Sequence, residues 1–182
     1  MSKKQLTEEE IIKAWEENKL RIPVIEKVVV HCCVGTGGEP LAKAKRILEQ
    51  ITNAKPVESK AKKTIKNFGI KRGESIAVRV TLRHKKAEEF LQRLFEALEY
   101  KLKLSSIDKR GNISLGIKEH LLLPGTKYDP NLGVIGFDVS ICMRYPGYRV
   151  IYKKVKRAKR IKPVSPLETK LFFEKFYNVK FV

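Results

Sequence analysis

Across 182 residues the chain sets 39 Lys+Arg against 20 Asp+Glu, a formal charge of +19. That length holds one or two small domains. With 42% hydrophobic residues and only 11 Gly and 8 Pro, the chain can bury a core, which excludes wholesale disorder. No apolar run approaches the roughly 18 residues of a membrane span. The N-terminal MSKKQLTEEE shows no apolar stretch behind its lysines, and neither terminus carries a lipid-attachment motif. Three cysteines (Cys32, Cys33, Cys142) without C-x-x-C spacing argue against a disulfide framework and a zinc knuckle. The expectation is a soluble, cytoplasmic, strongly basic protein with no membrane partner.

In chain order, Thr7-x-x-Glu10 is a capping box that opens a short helix over about residues 7–19, carrying Ile11, Ile12 and Trp15. Ile25–Val34 reads as a strand by its β-branched content. Val28, Val30, Cys32 and Val34 share one face, and Lys27, Val29, His31 and Cys33 the other. After Gly35-Thr36-Gly37-Gly38, Pro40 begins a helix to about Thr52 with Leu41, Ala44, Ile47, Leu48 and Ile51 as its stripe. Pro56–Arg72 is a basic segment with little periodicity, and Asn67-Phe68-Gly69 near its centre reads as an exposed loop tip. Ser75–Arg83 alternates, with Ile76, Val78, Val80 and Leu82 inward and Arg79, Thr81 and Arg83 outward. A helix follows on Ala87, Phe90, Leu91, Leu94, Phe95, Leu98 and Leu102.

Arg110-Gly111-Asn112 turns into a strand over Ile113–Ile117, with Ser114 and Gly116 on its outer face. Pro124-Gly125 and Asp129-Pro130 mark a long connection before a strand at Gly136–Arg144. Ser165-Pro166-Leu167-Glu168 then caps a last helix to about Tyr177. Strands that alternate apolar with polar do not suit a buried parallel sheet. The pattern predicts an α+β fold: an antiparallel sheet with helices packed on one face and the other face free to bind a partner. Residues 1–147 are expected to form one domain, and residues 148–182 a basic extension ending in a helix.

The charge is concentrated. Seven basic residues and one acid (Glu58) lie between Lys55 and Arg72, and eight basic residues with no acid between Arg149 and Lys162. One such run is ordinarily a solvated face; two, in a chain with acids elsewhere, point to phosphates. Catalytic motifs fail: Pro40 stands where a dinucleotide loop needs its third glycine, and no Gly-Lys-Ser/Thr follows. His31, His84 and His120 are far apart, Cys32 and Cys33 point to opposite faces, and there is no Gly-x-Ser-x-Gly elbow. Neither an enzyme, nor a cofactor, nor a metal is expected.

Ile25-Glu26-Lys27-Val28-Val29-Val30, Val34-Gly35 and Ile51-Thr52 with Lys55-Pro56-Val57 closely resemble the opening of universal large-subunit ribosomal protein number five. The likeness continues through Ser59-Lys60-Ala61-Lys62, Phe68-Gly69-Ile70-Lys71-Arg72-Gly73, Val80-Thr81-Leu82-Arg83 and Gly111–His120. Gly136-Phe137-Asp138 and the basic stretch beyond Tyr145-Pro146-Gly147 are similar to the archaeal and eukaryotic branch. Two positions depart: His31 stands where the family often has Asn, and Asn53-Ala54 where it often has Gly.

The resemblance implies a monomer within the ribosome that binds 5S rRNA and attaches it to the large rRNA in the central protuberance. It implies a basic loop that touches P-site tRNA, and an edge that meets a small-subunit head protein. The candidate 5S rRNA residues on the free sheet face are Lys27, His31, Arg79, Thr81, Arg83, Arg110, Asn112 and Ser114, each against the plainer reading of an exposed polar strand position. The candidate tRNA loop comprises Lys63, Lys66, Asn67, Phe68, Gly69, Lys71 and Arg72, with Phe68 either stacking on RNA or packing in a satellite core. Arg149, Lys153, Lys154, Lys156, Arg157, Lys159 and Arg160 form a tail for rRNA. The rival reading is a free RNA-binding or chaperone module acting off the ribosome.

Overall fold

The computed structural model describes residues 7–156 and 162–182. Four helices, α1 (Glu8–Glu17), α2 (Glu39–Thr52), α3 (Lys85–Ala97) and α4 (Pro166–Tyr177), accompany seven strands. Five strands form one antiparallel sheet: β1 (Val24–Cys33), β2 (Val57–Lys60), β3 (Ser75–Leu82), β5 (Ile113–Ile117) and β6 (Phe137–Arg144), in the order β2-β3-β1-β6-β5. The remaining two, β4 (Lys101–Leu102) and β7 (Lys180–Phe181), pair in parallel. The α+β class expected from the alternation is the one observed. No helix among the described residues is long and apolar enough to cross a membrane.

The chain divides into two compact units. One comprises Lys27–Glu99 and Ser114–Ser140; the other comprises Met1–Glu26, Tyr100–Ile113 and Ile141–Val182. In the first, the inward residues Val28, Val30, Cys32, Val78, Val80 and Leu82 are at most 2% exposed. The stripes of α2 (Leu41, Ala44, Ile47, Leu48, Ile51) and α3 (Ala87, Phe90, Leu91, Leu94, Phe95) are buried with them. Each large side chain in that layer contributes roughly 1.5–3 kcal/mol over exposure. A half-exposed pair such as Lys45–Glu58, 3.0 Å apart, is screened by solvent and adds little beside that. Burial therefore holds the unit together, and the polar face of the sheet is free of structural duty.

Three local outcomes differ from the sequence pattern. β2 lies inside the basic segment that shows little periodicity and pairs antiparallel with β3. It is a four-residue edge strand, Val-Glu-Ser-Lys, whose charges protect an exposed edge but erase the alternation that reveals a strand. The stripe of α3 was expected to include Leu102, yet the helix ends at Ala97. Glu99 (φ 52°) and Tyr100 (φ 56°) take left-handed conformations there, and Leu102 is buried in β4 instead. Pro40 stands second in α2, behind Glu39. Where the family often has Gly, Asn53 ends α2 at φ 48°, ψ 37°, a region Asn tolerates better than most residues.

In the second unit, Ile11 and Trp15 of α1 and Leu171, Phe172 and Phe173 of α4 are buried. The described residues of the 148–182 segment fall in the same unit as α1. Gly111, at φ +73°, lets the backbone come against α4: a Cβ there would lie 2.5 Å from Thr169 Oγ1 and 2.9 Å from the Val164 carbonyl. The Thr169 hydroxyl donates to the Gly111 carbonyl at 2.9 Å. Glu168, 6% exposed, accepts from the Tyr145 hydroxyl at 2.6 Å and from the Ser165 N–H at 2.8 Å.

Burial, together with the hydrogen bond to Glu168 and that carboxylate's charge, pushes the Tyr145 phenol well above its ordinary 10.0. A phenol that stays protonated in the fold but ionises in the unfolded chain contributes stability that is full below about pH 10 and is lost as pH rises past it. Tyr145→Phe is expected to cost about 1–2 kcal/mol near neutrality. It should also flatten the fall in stability between about pH 9 and about pH 11, read from urea midpoints. An unchanged slope would contradict the role given to this phenol.

Candidate nucleic-acid interface

Period-two alternation puts the polar residues of the first unit on the sheet face opposite the helices. His31 of β1 pairs with Arg79 of β3, Val29 with Thr81, and Val57 of the edge strand with Arg79 from the other side. The face curves into an open concavity of about 550 Å³ that all five strands of the sheet line. Val29, His31, Ser59 and Arg79 line one half, and Ser114, Gly116, Asp138 and Ser140 the other. At Gly116 a Cβ would sit 3.4 Å from the Asp138 carboxylate, so the backbone is open to close approach there.

Ser59, Asp138 and Ser140 were not singled out in the sequence. The signal for Asp138 and Ser140 was available, because Phe137, Val139 and Ile141 alternate inward and are buried, leaving residues 138 and 140 outward. No such signal marked Ser59, which sits on the strand that hides its own pattern. Chemically the concavity is mixed. Arg79 suits a phosphate or a guanine edge, and the hydroxyls can donate or accept. The Asp138 carboxylate repels phosphate and matches a base amino group or a ribose hydroxyl.

His31, Arg79 and Ser114 of the expected set therefore meet in one surface, with Thr81 exposed beside His31's strand. Lys27 is half-buried on β1 and Arg83 is exposed just beyond the end of β3. Arg110 and Asn112 belong to the second unit, on the turn that precedes β5. Asp108 accepts there from the Arg110 N–H at 2.6 Å, the Asn112 N–H at 3.0 Å and the Asn112 side chain at 3.1 Å. Burial pushes the Asp108 carboxyl up, but the hydrogen bonds from Asn112 and Arg110 outweigh it and hold the group below its ordinary range. Asn112 Oδ1 in turn accepts from the Met143 N–H at 3.1 Å. Its amide fixes the turn and β6, while Arg110 remains exposed.

The basic loop is a built hairpin. Ile65 and Ile70 exchange backbone hydrogen bonds of 2.9 and 3.2 Å, and Lys66–Phe68 make one 3₁₀ turn closed by Gly69 at φ +66°. The Thr64 hydroxyl accepts from the Arg72 N–H at 3.0 Å, and the Glu74 carboxylate from the Lys71 N–H at 3.0 Å. Those bonds carry Phe68 to the tip, 73% exposed, among the exposed Lys63, Lys66, Asn67, Lys71 and Arg72. An aromatic ring set among cations is a platform for an unstacked base. In the tail, Arg149, Lys153, Lys154 and Lys156 are exposed. Arg157, Lys159 and Arg160 lie outside the described residues. No cluster of three metal-binding side chains occurs among the described residues.

A basic α+β chain with an open mixed-polarity sheet face and an aromatic-tipped basic hairpin defines an RNA-binding protein. The model of the family "Ribosomal protein L5" matches residues 18–71, and the model of the C-terminus of the same ribosomal family matches residues 75–163. The large ribosomal subunit protein uL5 of Aeropyrum pernix is 44% identical over 176 residues, covering 95% of this chain and 92% of its own length. That of Sulfurisphaera tokodaii is 46% identical over 168 residues (91% and 95%), and that of Methanosphaera stadtmanae 37% over 164 residues (89% and 98%). The chain belongs to the uL5 family of large-subunit ribosomal proteins, a structural family without enzymatic activity whose place is the ribosome in the cytoplasm. These archaeal relatives agree with the branch indicated by the Gly136-Phe137-Asp138 segment.

Since Phe68 is mostly solvent-exposed, Phe68→Ala is expected to leave the urea midpoint within about 0.5 kcal/mol of the parent. A loss of several kcal/mol would show that the ring packs in a core.

Proposed function

We propose that the concave sheet face of this chain binds 5S rRNA and helps attach it to the large rRNA in the central protuberance. The observation that carries this reading is the convergence of His31, Arg79, Ser59, Ser114 and Asp138 on one open surface backed by a rigid apolar layer. The cations neutralise phosphates and release counterions, which gives affinity without sequence information. Asp138 and the hydroxyls select, because a surface carrying an acid favours RNA that presents donors at that point over any polyanion. The Lys63–Arg72 hairpin reaches P-site tRNA through Phe68 and its lysines. The Arg149–Arg160 segment adds rRNA phosphate contacts, and another edge of the chain meets a small-subunit head protein. The protein acts as a monomer whose work is the placement of RNA.

Arg79→Ala is expected to weaken 5S rRNA binding by about 1–2 kcal/mol and to lower the slope of log affinity against log salt by about one. Unchanged affinity and slope in a filter-binding titration would remove the sheet face from the interface. Phe68→Ala should bind 5S rRNA as the parent does and loosen tRNA in the P site of reconstituted ribosomes; a lost 5S complex would reassign the hairpin.

A further inference from the structure

A second recess of the same unit shares no lining residue with the concave face. It is a cleft of about 480 Å³ lined by the end of α2, by Arg93 of α3 and by residues 125–130 of the connection between β5 and β6. Its size falls within the roughly 300–1,000 Å³ of small-molecule sites. His120 lines it although the residue is only 4% exposed. The Ile135 N–H donates to His120 Nδ1 at 3.4 Å, and an imidazole that accepts at Nδ1 carries its proton at Nε2. The ring's Nε2–H is a donor that His120 brings to the lining of the cleft.

Two cations stand beside it. Arg93 donates one Nη2–H to the Ile51 carbonyl at 2.9 Å, which fixes the guanidinium at the end of α2 and leaves further donors of its fork. Lys127 is exposed on the same wall. The acid in the lining, Asp129, has one oxygen occupied by the Asn131 N–H at 2.9 Å. Tyr128, 59% exposed, offers a ring face at the rim next to Pro130. Fixed donors, two positive charges and an exposed aromatic in one recess match a phosphate joined to a flat ring.

We propose that this cleft holds one nucleotide unit, its phosphate among Arg93, Lys127 and His120 Nε2 and its base on Tyr128. The nucleotide comes either from an unpaired position of an RNA chain or from the free pool. The site is independent of the sheet face proposed for 5S rRNA.

The test is a titration of ¹⁵N-imidazole-labelled full chain with uridine 5′-monophosphate, uridine, inorganic phosphate and a tri-uridine oligonucleotide, following the His120 resonance by NMR. The monophosphate is expected to move His120 saturably. Lys127→Ala and Tyr128→Ala should each raise the apparent Kd about fivefold, the loss of one charge-assisted or stacking contact. Tighter binding of the oligonucleotide assigns the nucleotide to RNA, and equal or weaker binding assigns it to the free pool. A His120 signal that stays still, or responds equally to uridine and its monophosphate, overturns the proposal. An Arg79→Ala control should titrate as the parent does, so failure here is separable from failure of the sheet-face reading.

Discussion

A β-strand shows alternate residues to opposite faces, and in the first unit that constraint separates stability from recognition. Val28, Val30 and Cys32 on β1 and Val78, Val80 and Leu82 on β3 are buried with the stripes of α2 and α3. Because that layer supplies the stabilisation, the intervening residues His31, Arg79 and Thr81 need not pack. Each stands on a backbone whose register is fixed by the buried neighbour on either side. A one-residue slip of β3 against β1 would send Arg79 into the apolar layer and Val80 into solvent, so the core enforces the geometry of the face proposed to bind RNA. That is the physical basis for a rigid shape built from polar side chains that do not pack.

Much of this was legible in the sequence. The alternation in Ile25–Val34 and Ser75–Arg83 placed His31, Arg79 and Thr81 on one face, and the Leu41–Ile51 stripe placed α2 on the other. The illegible elements share a cause: their structure comes from a neighbour. β2 has no apolar period because it is an edge strand held by β3. Leu102 falls in phase with the α3 stripe but is buried in β4, since two left-handed residues at Glu99 and Tyr100 redirect the chain. Asn112 reads as an exposed turn residue, yet its amide is used by Asp108 and Met143. Asp108 and Met143 reach it from outside any local window of alternation. Asp138 escapes for a different reason: an acid is not what a strongly basic chain leads one to expect on such a face, although alternation by itself locates it.

The two basic runs are also built differently. The Lys63–Arg72 hairpin is held by backbone bonds at Ile65 and Ile70 and by Thr64 and Glu74, so its cations and Phe68 are presented together. Presentation of that kind lowers the ordering cost of any ligand contact there, because the loop is already folded. The tail is as rich in cations, but the described part, through Lys156, shows one 3₁₀ turn at Tyr148–Tyr152 with its charges directed to solvent. Affinity from charge of that sort falls steeply with salt, whereas the hydroxyls and the Asp138 carboxylate of the concave face offer hydrogen bonds that depend on shape as well as charge.

The claim at the centre of this account is that a shaped surface, and not net charge alone, binds RNA. A salt titration of 5S rRNA binding, with a structured RNA of similar length as competitor, addresses it most directly. The account predicts a preference for 5S rRNA of about tenfold or more that survives about 200 mM salt. Equal affinity for both RNAs, collapsing together as salt rises, would contradict it and leave a generic polycation.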